Sequence, residues 1–295
     1  MPLIDDAARD AVVRALRDAG LVDSAAAPRP DVVEVRPLDG GLGRRSYLAN
    51  IGDGDYVVRV SGEERAGALD LVAEAEITDE AAALGIAPRV IAANPGADAL
   101  ITEHLAKARP MTPEDLKDPR NIPRAARLLK RLHTIRRPLR RYDPEAFAEQ
   151  YTRNLRERLG AADATRAEEM HSLARAYRTR FPPLVLCHND LVAENVLDDG
   201  GLKLVDFEYA VTGAPVLDIA GLAAMNDFDD GEQWRLAEAY YEGAAVPFTA
   251  AELHKVVRLV RLIAYFWALS SAVEAGDRGP YAAFAQHTAE VLDKT

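Results

Sequence analysis

Apolar positions along the chain change from a strand-like to a helix-like spacing after about the first third. Residues 4–20 and 66–84 carry apolar side chains at helical spacing, and each segment ends at a glycine. Short runs of apolar residues with alternating or continuous hydrophobicity predict strands at 32–38, 56–60, 89–93 and 98–103. The first third of the chain is therefore predicted to be rich in strands.

The rest of the chain is dominated by helical patterns. Thr112 followed by Pro113 is typical of a helix start, with Thr112 as N-cap and Pro113 at the first helical position. Further helices are predicted at 121–133, 144–180, 231–243, 250–275 and 280–293.

One segment, Leu184 to Tyr209, interrupts this helical part. A short apolar run ends at His188-Asn189-Asp190, and Asn195 follows five residues after Asp190. A second apolar run then ends at Asp206. This order predicts strand, loop, strand, turn and strand, with carboxylates and a carboxamide at the loop edges.

These polar positions match the chemistry of phosphoryl transfer. One carboxylate orients the acceptor hydroxyl, while an amide oxygen and a second carboxylate hold the magnesium that bridges the nucleotide phosphates. His188-x-Asp190 followed by Asn195 and Asp206 supplies these groups. The first motif alone is equally compatible with a polar loop between two buried strands. The additional Asp-Phe-Glu at a strand end favours phosphotransfer.

Two features of the strand-rich part fit nucleotide binding. The segment from Asp39 to Tyr47 is rich in glycine, and we expect Gly40, Gly41 and Ser46 to lie at the phosphates, although a tight turn is the simpler reading of such glycines. No Gly-Lys-Ser/Thr follows, so it is not a Walker A loop. Arg59 lies on an alternating strand, where it either reaches the phosphates or faces solvent.

The amino-acid composition limits the kinds of partner that the protein is expected to bind. The net charge of −11 argues against nucleic-acid or anionic-membrane partners and favours a cationic substrate, although it could serve only solubility. The single cysteine, Cys187, cannot form an internal disulfide, and we expect a cytoplasmic location. No leader is expected from the first residues, and the most apolar segment, 259–273, predicts no membrane insertion.

The sequences Cys187-His-Asn-Asp-Leu-Val-x-Glu-Asn195 and Val205-Asp-Phe-Glu-Tyr-Ala210 resemble the choline/ethanolamine kinases. Within them the chain is most similar to bacterial choline kinases, in the aminoglycoside phosphotransferase superfamily. The resemblance implies an α+β, protein-kinase-like, two-lobed fold. A β-rich N-lobe would cover residues 1–105 and a mainly helical C-lobe residues 106–295, with ATP between them.

The resemblance also assigns roles. Asp190 would orient and deprotonate the acceptor, His188 would support the loop, and Asn195 and Asp206 would bind Mg²⁺. Asp218 resembles a position that braces the catalytic loop. The remaining assignments concern ATP. Arg59 would contact the phosphates and would pair with a glutamate, either Glu74 or its rival Glu76. Adenine would contact the main chain at Glu103 and Leu105.

In the resembling enzymes, aromatic rings hold the quaternary ammonium of the acceptor, because ring faces attract a cation that donates no hydrogen bonds. The matching positions are Glu208, Tyr209, Trp267 and Tyr281, whereas Ser270 stands in place of a second tryptophan. Trp267 could equally be an ordinary core residue.

We therefore expect an ATP- and Mg²⁺-dependent kinase acting on a small cationic alcohol, most readily choline or ethanolamine. Other acceptors, such as an aminoglycoside, thiamine or a sugar, are an open alternative. A second alternative is a non-catalytic, nucleotide-binding regulator. The sequence does not indicate an oligomeric state.

Overall fold

The computed structural model describes residues 6–22, 33–38, 45–52, 54–60, 69–274, 276 and 280–294. The helices within these residues are α1 (Asp6–Asp18), α2 (Leu71–Ala83), α3 (Pro113–Lys117), α4 (Ile122–Leu132), α5 (Pro144–Asn154), α6 (Ala161–Arg180), α7 (Pro215–Met225), α8 (Asp230–Tyr241), α9 (Ala250–Glu274) and α10 (Tyr281–Leu292). The strands are β1 (Val33–Pro37), β2 (Arg45–Ile51), β3 (Gly54–Val60), β4 (Val90–Asn94), β5 (Ala99–Glu103), β6 (Arg109–Pro110), β7 (Val185–Cys187), β8 (Val196–Asp198), β9 (Leu202–Leu204) and β10 (Val211–Gly213). The predicted α+β class is confirmed.

The chain divides into two compact units. The first contains Met1–Met111 and Glu194–Ala210, and the second contains Thr112–Ala193 and Val211–Thr295. This division differs from the predicted single boundary after residue 105. Strand β8 pairs with β6 and with β9, and the Leu204 N–H donates to the Ile86 carbonyl at 2.7 Å, so hydrogen bonds attach this later segment to the first unit.

The first unit is built on a five-stranded antiparallel sheet in the order β1-β2-β3-β5-β4. Val12 and Leu16 of α1 pack against Tyr47, Val58 and Ile101 on one face of this sheet. Because successive strand residues point to opposite faces, the neighbours of these residues face the other way, towards α2. Helix α2 contributes its own apolar contacts with β5 on that side.

The second unit is mainly helical, as predicted. Thr112 forms a capping box with Asp115 at the start of α3, with Pro113 in the first turn, as the sequence indicated. Helix α9 packs against α5, α6, α7, α8 and α10, and α4 packs against α8. Strands β7 and β10 form a short antiparallel pair in this unit, and the predicted motif His188-Asn189-Asp190 directly follows β7.

Helix α9 is longer than the apolar segment 259–273 recognised in the sequence. By length and composition alone it could cross a membrane, with a mean hydropathy of 1.6 over its most apolar window. However, 56% of that window is buried inside the protein. Its apolar character is therefore explained by its central position in the second unit.

The predicted continuous helix at 144–180 is wrong, because the structure has two helices there. Helix α5 ends at Asn154, and α6 begins at Ala161 after Gly160 as N-cap. Turn hydrogen bonds, such as that from the Arg158 N–H to the Leu155 carbonyl at 2.8 Å, occupy the gap. Helical spacing of apolar residues continues through this turn, which is why the pattern did not indicate the break.

Candidate active site

A buried ion-pair cluster lies at the centre of the first unit. Val58 of β3 faces α1, so the next residue, Arg59, faces α2. There its guanidinium pairs with Glu74, in the first turn of α2, and with Asp206, just after β9. Arg59 and Glu74 are 8% and 0% exposed, so each depends on the other for charge compensation. Of the two glutamates considered for this role, Glu74 pairs with Arg59 and is buried, whereas Glu76 is exposed.

The two predicted metal ligands, Asn195 and Asp206, lie near each other in the first unit. The Val205 N–H donates to the Asn195 carbonyl at 3.1 Å, which places Asn195 next to the residue before Asp206. Asp206 has a left-handed backbone with φ of 67°, and its carboxylate is 25% exposed. A carboxamide and a carboxylate are hard oxygen donors of the kind that Mg²⁺ prefers, so these residues fit the ion.

The other predicted nucleotide contacts also belong to the first unit. Ser46 of β2 lies opposite Arg59 of β3 in the strand register. One of the two residues predicted to contact adenine through the main chain already uses its N–H group, because the Glu103 N–H donates to the Arg89 carbonyl at 3.0 Å. Among the described residues, the Leu105 N–H makes no hydrogen bond. Gly40 and Gly41 lie outside the described residues.

The loop that is predicted to be catalytic, in the second unit, is held by a buried carboxylate. Asp218 of α7 accepts hydrogen bonds from the backbone N–H groups of His188 at 2.8 Å and Asn189 at 3.0 Å. His188 is fully buried, while Asn189 has a left-handed backbone with φ of 64° and Asp190 is partly exposed. Asp218 thus fixes the backbone just before the predicted catalytic carboxylate.

Residues that the sequence did not single out extend this support. His133 lies with Nε2 3.1 Å from Asp218 and Nδ1 2.8 Å from the Tyr240 hydroxyl. Burial raises the pKa of Tyr240, so it remains a neutral phenol. On the other side of the loop, the Asn226 amide donates to the Leu191 carbonyl at 2.9 Å. No local motif marks these three residues, because their role depends on long-range contacts.

Cys187 lies beside this network. Its sulfur, one His133 nitrogen and one Asp218 oxygen lie within 4.8 Å of one another. The thiol is fully buried and donates to the Ala214 carbonyl at 3.5 Å, and burial raises its pKa well above the usual range. Because all three side chains already have hydrogen bonds, we interpret them as structural support rather than a metal site.

Two of the predicted acceptor-binding rings meet in the second unit. Trp267 of α9 and Tyr281 of α10 form an edge-to-face pair with ring centroids 5.6 Å apart. Phe284, which the sequence analysis did not include, lies 6.1 Å from Trp267 in a similar arrangement. Tyr209 is partly buried and Glu208 is 2% exposed, both in the first unit.

Ser270 does not face an open binding site. It is 5% exposed, and its hydroxyl accepts a hydrogen bond from the Asn154 amide of α5 at 3.3 Å. A tryptophan there would have to displace Asn154. At the position where the resembling enzymes have a second tryptophan, this chain therefore has a serine that makes a polar contact between two helices.

Comparisons with known proteins find relatives that are named as kinases. A choline/ethanolamine kinase from Mus musculus is 25% identical over 209 residues, which are 62% of this chain and 52% of that protein. The chain therefore spans about half the length of this curated relative.

Solved structures cover nearly the whole chain. The choline/ethanolamine kinase family protein from Mesorhizobium loti is 25% identical, with a TM-score of 0.75 over 97% of this chain and 95% of that one. Choline kinase LicA from Streptococcus pneumoniae is 22% identical, with a TM-score of 0.73 over 89% of this chain and 94% of that one. LicA in complex with AMP is 20% identical, with a TM-score of 0.74 over 96% and 97%.

The two LicA comparisons, at lower identity, establish the kinase-like fold alone. The family is established by a match that extends from β1 into α9 and includes both the Arg59 cluster and the loop from His188 to Asn195. Residues 34–255 match the model of the phosphotransferase enzyme family, and the chain belongs to that family, as its catalytic segment predicted.

Proposed function

We propose that the protein is an ATP-dependent kinase that phosphorylates the hydroxyl of a small cationic alcohol, choline or ethanolamine. The observation that carries the proposal is the pairing of Arg59 with both Glu74 and Asp206. A buried cation fixed by a glutamate and placed beside a metal-binding carboxylate is the arrangement that phosphoryl transfer from a nucleotide uses. A relative solved with AMP supports nucleotide binding.

In the proposed reaction, the acceptor oxygen attacks the γ-phosphorus of ATP, the bond from that phosphorus to the β–γ bridging oxygen breaks, and ADP leaves. Asp190 orients the acceptor hydroxyl and takes its proton. Arg59 binds the phosphates, and Glu74 keeps its guanidinium in position. Asn195 and Asp206 would hold Mg²⁺, which neutralises phosphate charge when bound.

The choice of acceptor rests on two kinds of support. Relatives named as choline/ethanolamine kinases are similar over much of this chain. The Trp267–Tyr281 pair also offers aromatic faces and edges on partly exposed side chains. Ring faces attract ammonium groups, so a cationic alcohol is favoured over a neutral one.

An acceptor screen tests this proposal. The full chain is incubated with ATP and Mg²⁺, and ADP release is measured with choline, ethanolamine, a neutral alcohol of similar size, thiamine, a sugar and an aminoglycoside. We expect choline or ethanolamine to stimulate ADP release most, and Asp190→Asn to abolish the stimulation. A stronger response to a neutral alcohol or a sugar would remove the ammonium assignment. Nucleotide binding without stimulation by any acceptor would favour a regulator.

A further inference from the structure

One buried arginine in the second unit has no partner among the residues that the structure describes. Arg261 of α9 is 4% exposed, and its guanidinium makes no hydrogen bond or ion pair with any residue that the structure describes. One turn earlier, Arg258 is also partly buried but pairs with Glu169 and donates to the Leu292 carbonyl at 3.0 Å. Burying a charge without compensation is costly, so the position of Arg261 requires a separate explanation.

Burial lowers the pKa of the Arg261 guanidinium, and the nearby carboxylates of Asp227 and Asp230 act in the opposite direction. Arginine stays protonated in proteins, so the group is a permanent cation here. Its Nε atom is out of contact with solvent and without an acceptor among the described residues.

Arg261 lines a cavity of about 800 Å³ that is open to solvent and is formed by the α7–α8 turn, α8, α9 and α10. This volume is in the range of cavities that hold small organic molecules. Apolar contact is available from Phe228 and Val291, and the wall also carries Gly231 and Gln233.

Two further cations line the same cavity. Arg235 of α8 and Lys294, after α10, are exposed, and neither side chain has a hydrogen-bond or ion-pair partner in the described part of the chain. Together with Arg261 they present three positive charges that no described residue contacts through a hydrogen bond or an ion pair.

The carboxylates at the cavity, by contrast, already have partners. Asp227 lies 2.9 Å from the His287 imidazole, and Asp230 lies 3.3 Å from the imidazole of His254. Asp229 caps α8 by accepting a backbone N–H at 2.7 Å. Among the described residues, the carboxylates at the cavity therefore have protein partners, whereas the side chains of Arg261, Arg235 and Lys294 have none.

We propose that this cavity binds a small organic anion through a phosphate or carboxylate group, with Arg261 as the main cationic contact. A guanidinium offers two parallel N–H donors to such a group, which would provide the missing partner. The bound ligand's body would lie against Phe228 and Val291. This site is separate from the residues assigned to phosphoryl transfer, so the inference extends beyond the proposed function.

Binding is tested on the full chain at constant ionic strength, with inorganic phosphate and glycerol phosphate as probes and glycerol as the neutral control. Calorimetry gives the Kd, and thermal unfolding gives the Tm. We expect saturable binding of both anions and a rise in Tm of roughly 2 to 5 °C at ten times the Kd. Arg261→Met should weaken binding at least tenfold.

Arg258→Met is the matched control on the same helix. It removes a partnered arginine, so it should lower the Tm while retaining the affinity for phosphate. Arg261→Met should not lower the Tm in the absence of anions, because it removes a buried charge that has no direct partner among the described residues. If it fails to fold, Arg261→Lys provides the test: it keeps the charge but loses the two-pronged donor, and we expect weaker binding.

The absence of saturable phosphate binding to the wild type would overturn the proposal. Equal affinity of the wild type and a folded Arg261 variant would also overturn it, because the phosphate would then bind elsewhere, as at the nucleotide site.

The kinetics of the acceptor reaction identify the source of the anion. An Arg261-dependent rise in acceptor KM with phosphate would support an anionic group on the acceptor, whereas saturable binding with unchanged KM would support a separate ligand.

Discussion

The Asp218 carboxylate accepts a hydrogen bond from the backbone N–H of His188 at 2.8 Å, although 30 residues separate the two in the chain. The same carboxylate accepts from the next backbone N–H at 3.0 Å and is itself fully buried. The backbone ahead of Asp190 is therefore held by a charged acceptor that water does not reach.

Asp218→Asn should lower kcat at least tenfold and destabilise the fold by roughly 1.5–3 kcal/mol, because a carboxamide replaces a charged acceptor that faces two donors. Urea unfolding and steady-state kinetics measure the two effects. Asp229→Asn is the control, since asparagine caps a helix as well as aspartate does. An unchanged kcat in Asp218→Asn would show that the brace is not needed for turnover.

Arg59→Met should raise the ATP KM far more than the acceptor KM. It should also destabilise the fold by roughly 3–5 kcal/mol, because Glu74 would remain buried without a partner. The double variant Arg59→Met with Glu74→Met should recover most of that stability but not the activity. Glu76→Met, at an exposed position on the same helix, is the control. Wild-type kinetics in Arg59→Met would exclude Arg59 from the active site.

Asp206→Asn and Asp190→Asn should both abolish turnover but differ in nucleotide binding. Asp206→Asn removes a magnesium ligand, so calorimetry should show loss of the Mg²⁺-dependent part of ATP affinity. Asp190→Asn should bind Mg-ATP normally, because that residue acts on the acceptor. Failure of Asp190→Asn to bind Mg-ATP would contradict this division of roles.

Trp267→Ala should raise the KM for choline by about twofold to thirtyfold, since a cation–π contact contributes roughly 0.5–2 kcal/mol. Trp234→Ala replaces the other tryptophan, also partly buried, and should leave this KM unchanged. Equal effects of the two substitutions would indicate that Trp267 acts only in packing. Ser270→Trp is expected to destabilise the protein, because Ser270 is buried against Asn154.

Stability should fall as the pH rises from 10 to 12. Burial, together with donation to Asp163 at 2.6 Å, raises the pKa of Tyr265 from 10.0 to about 12. The folded state therefore favours the neutral phenol. This contribution is fully present below pH 10 and is lost as the pH approaches the folded-state pKa. Urea unfolding should show a shallower decline for Tyr265→Phe over this range, and identical pH slopes would contradict the assignment.

Much of the local structure could be predicted from the sequence. The capping box at Thr112 and the strand carrying Arg59 both lie where the pattern predicts them. Such features depend on neighbouring residues and on backbone geometry. The break between α5 and α6 was missed, because a turn can interrupt a helix without interrupting the spacing of apolar residues.

The sequence by itself determined the order of elements and the residue types available for phosphoryl transfer, since motif spacing along a strand or loop is a local property. Three features are visible only in the tertiary structure. Glu74 and not Glu76 pairs with Arg59, and residues 194–210 belong to the first unit. Ser270 is buried against another helix. The tertiary structure also buries Arg261 without a partner in the described part of the chain, whereas Arg258, three residues earlier, pairs with Glu169. Side-chain burial and ion pairing depend on which distant segments meet, and one-dimensional spacing does not contain that information.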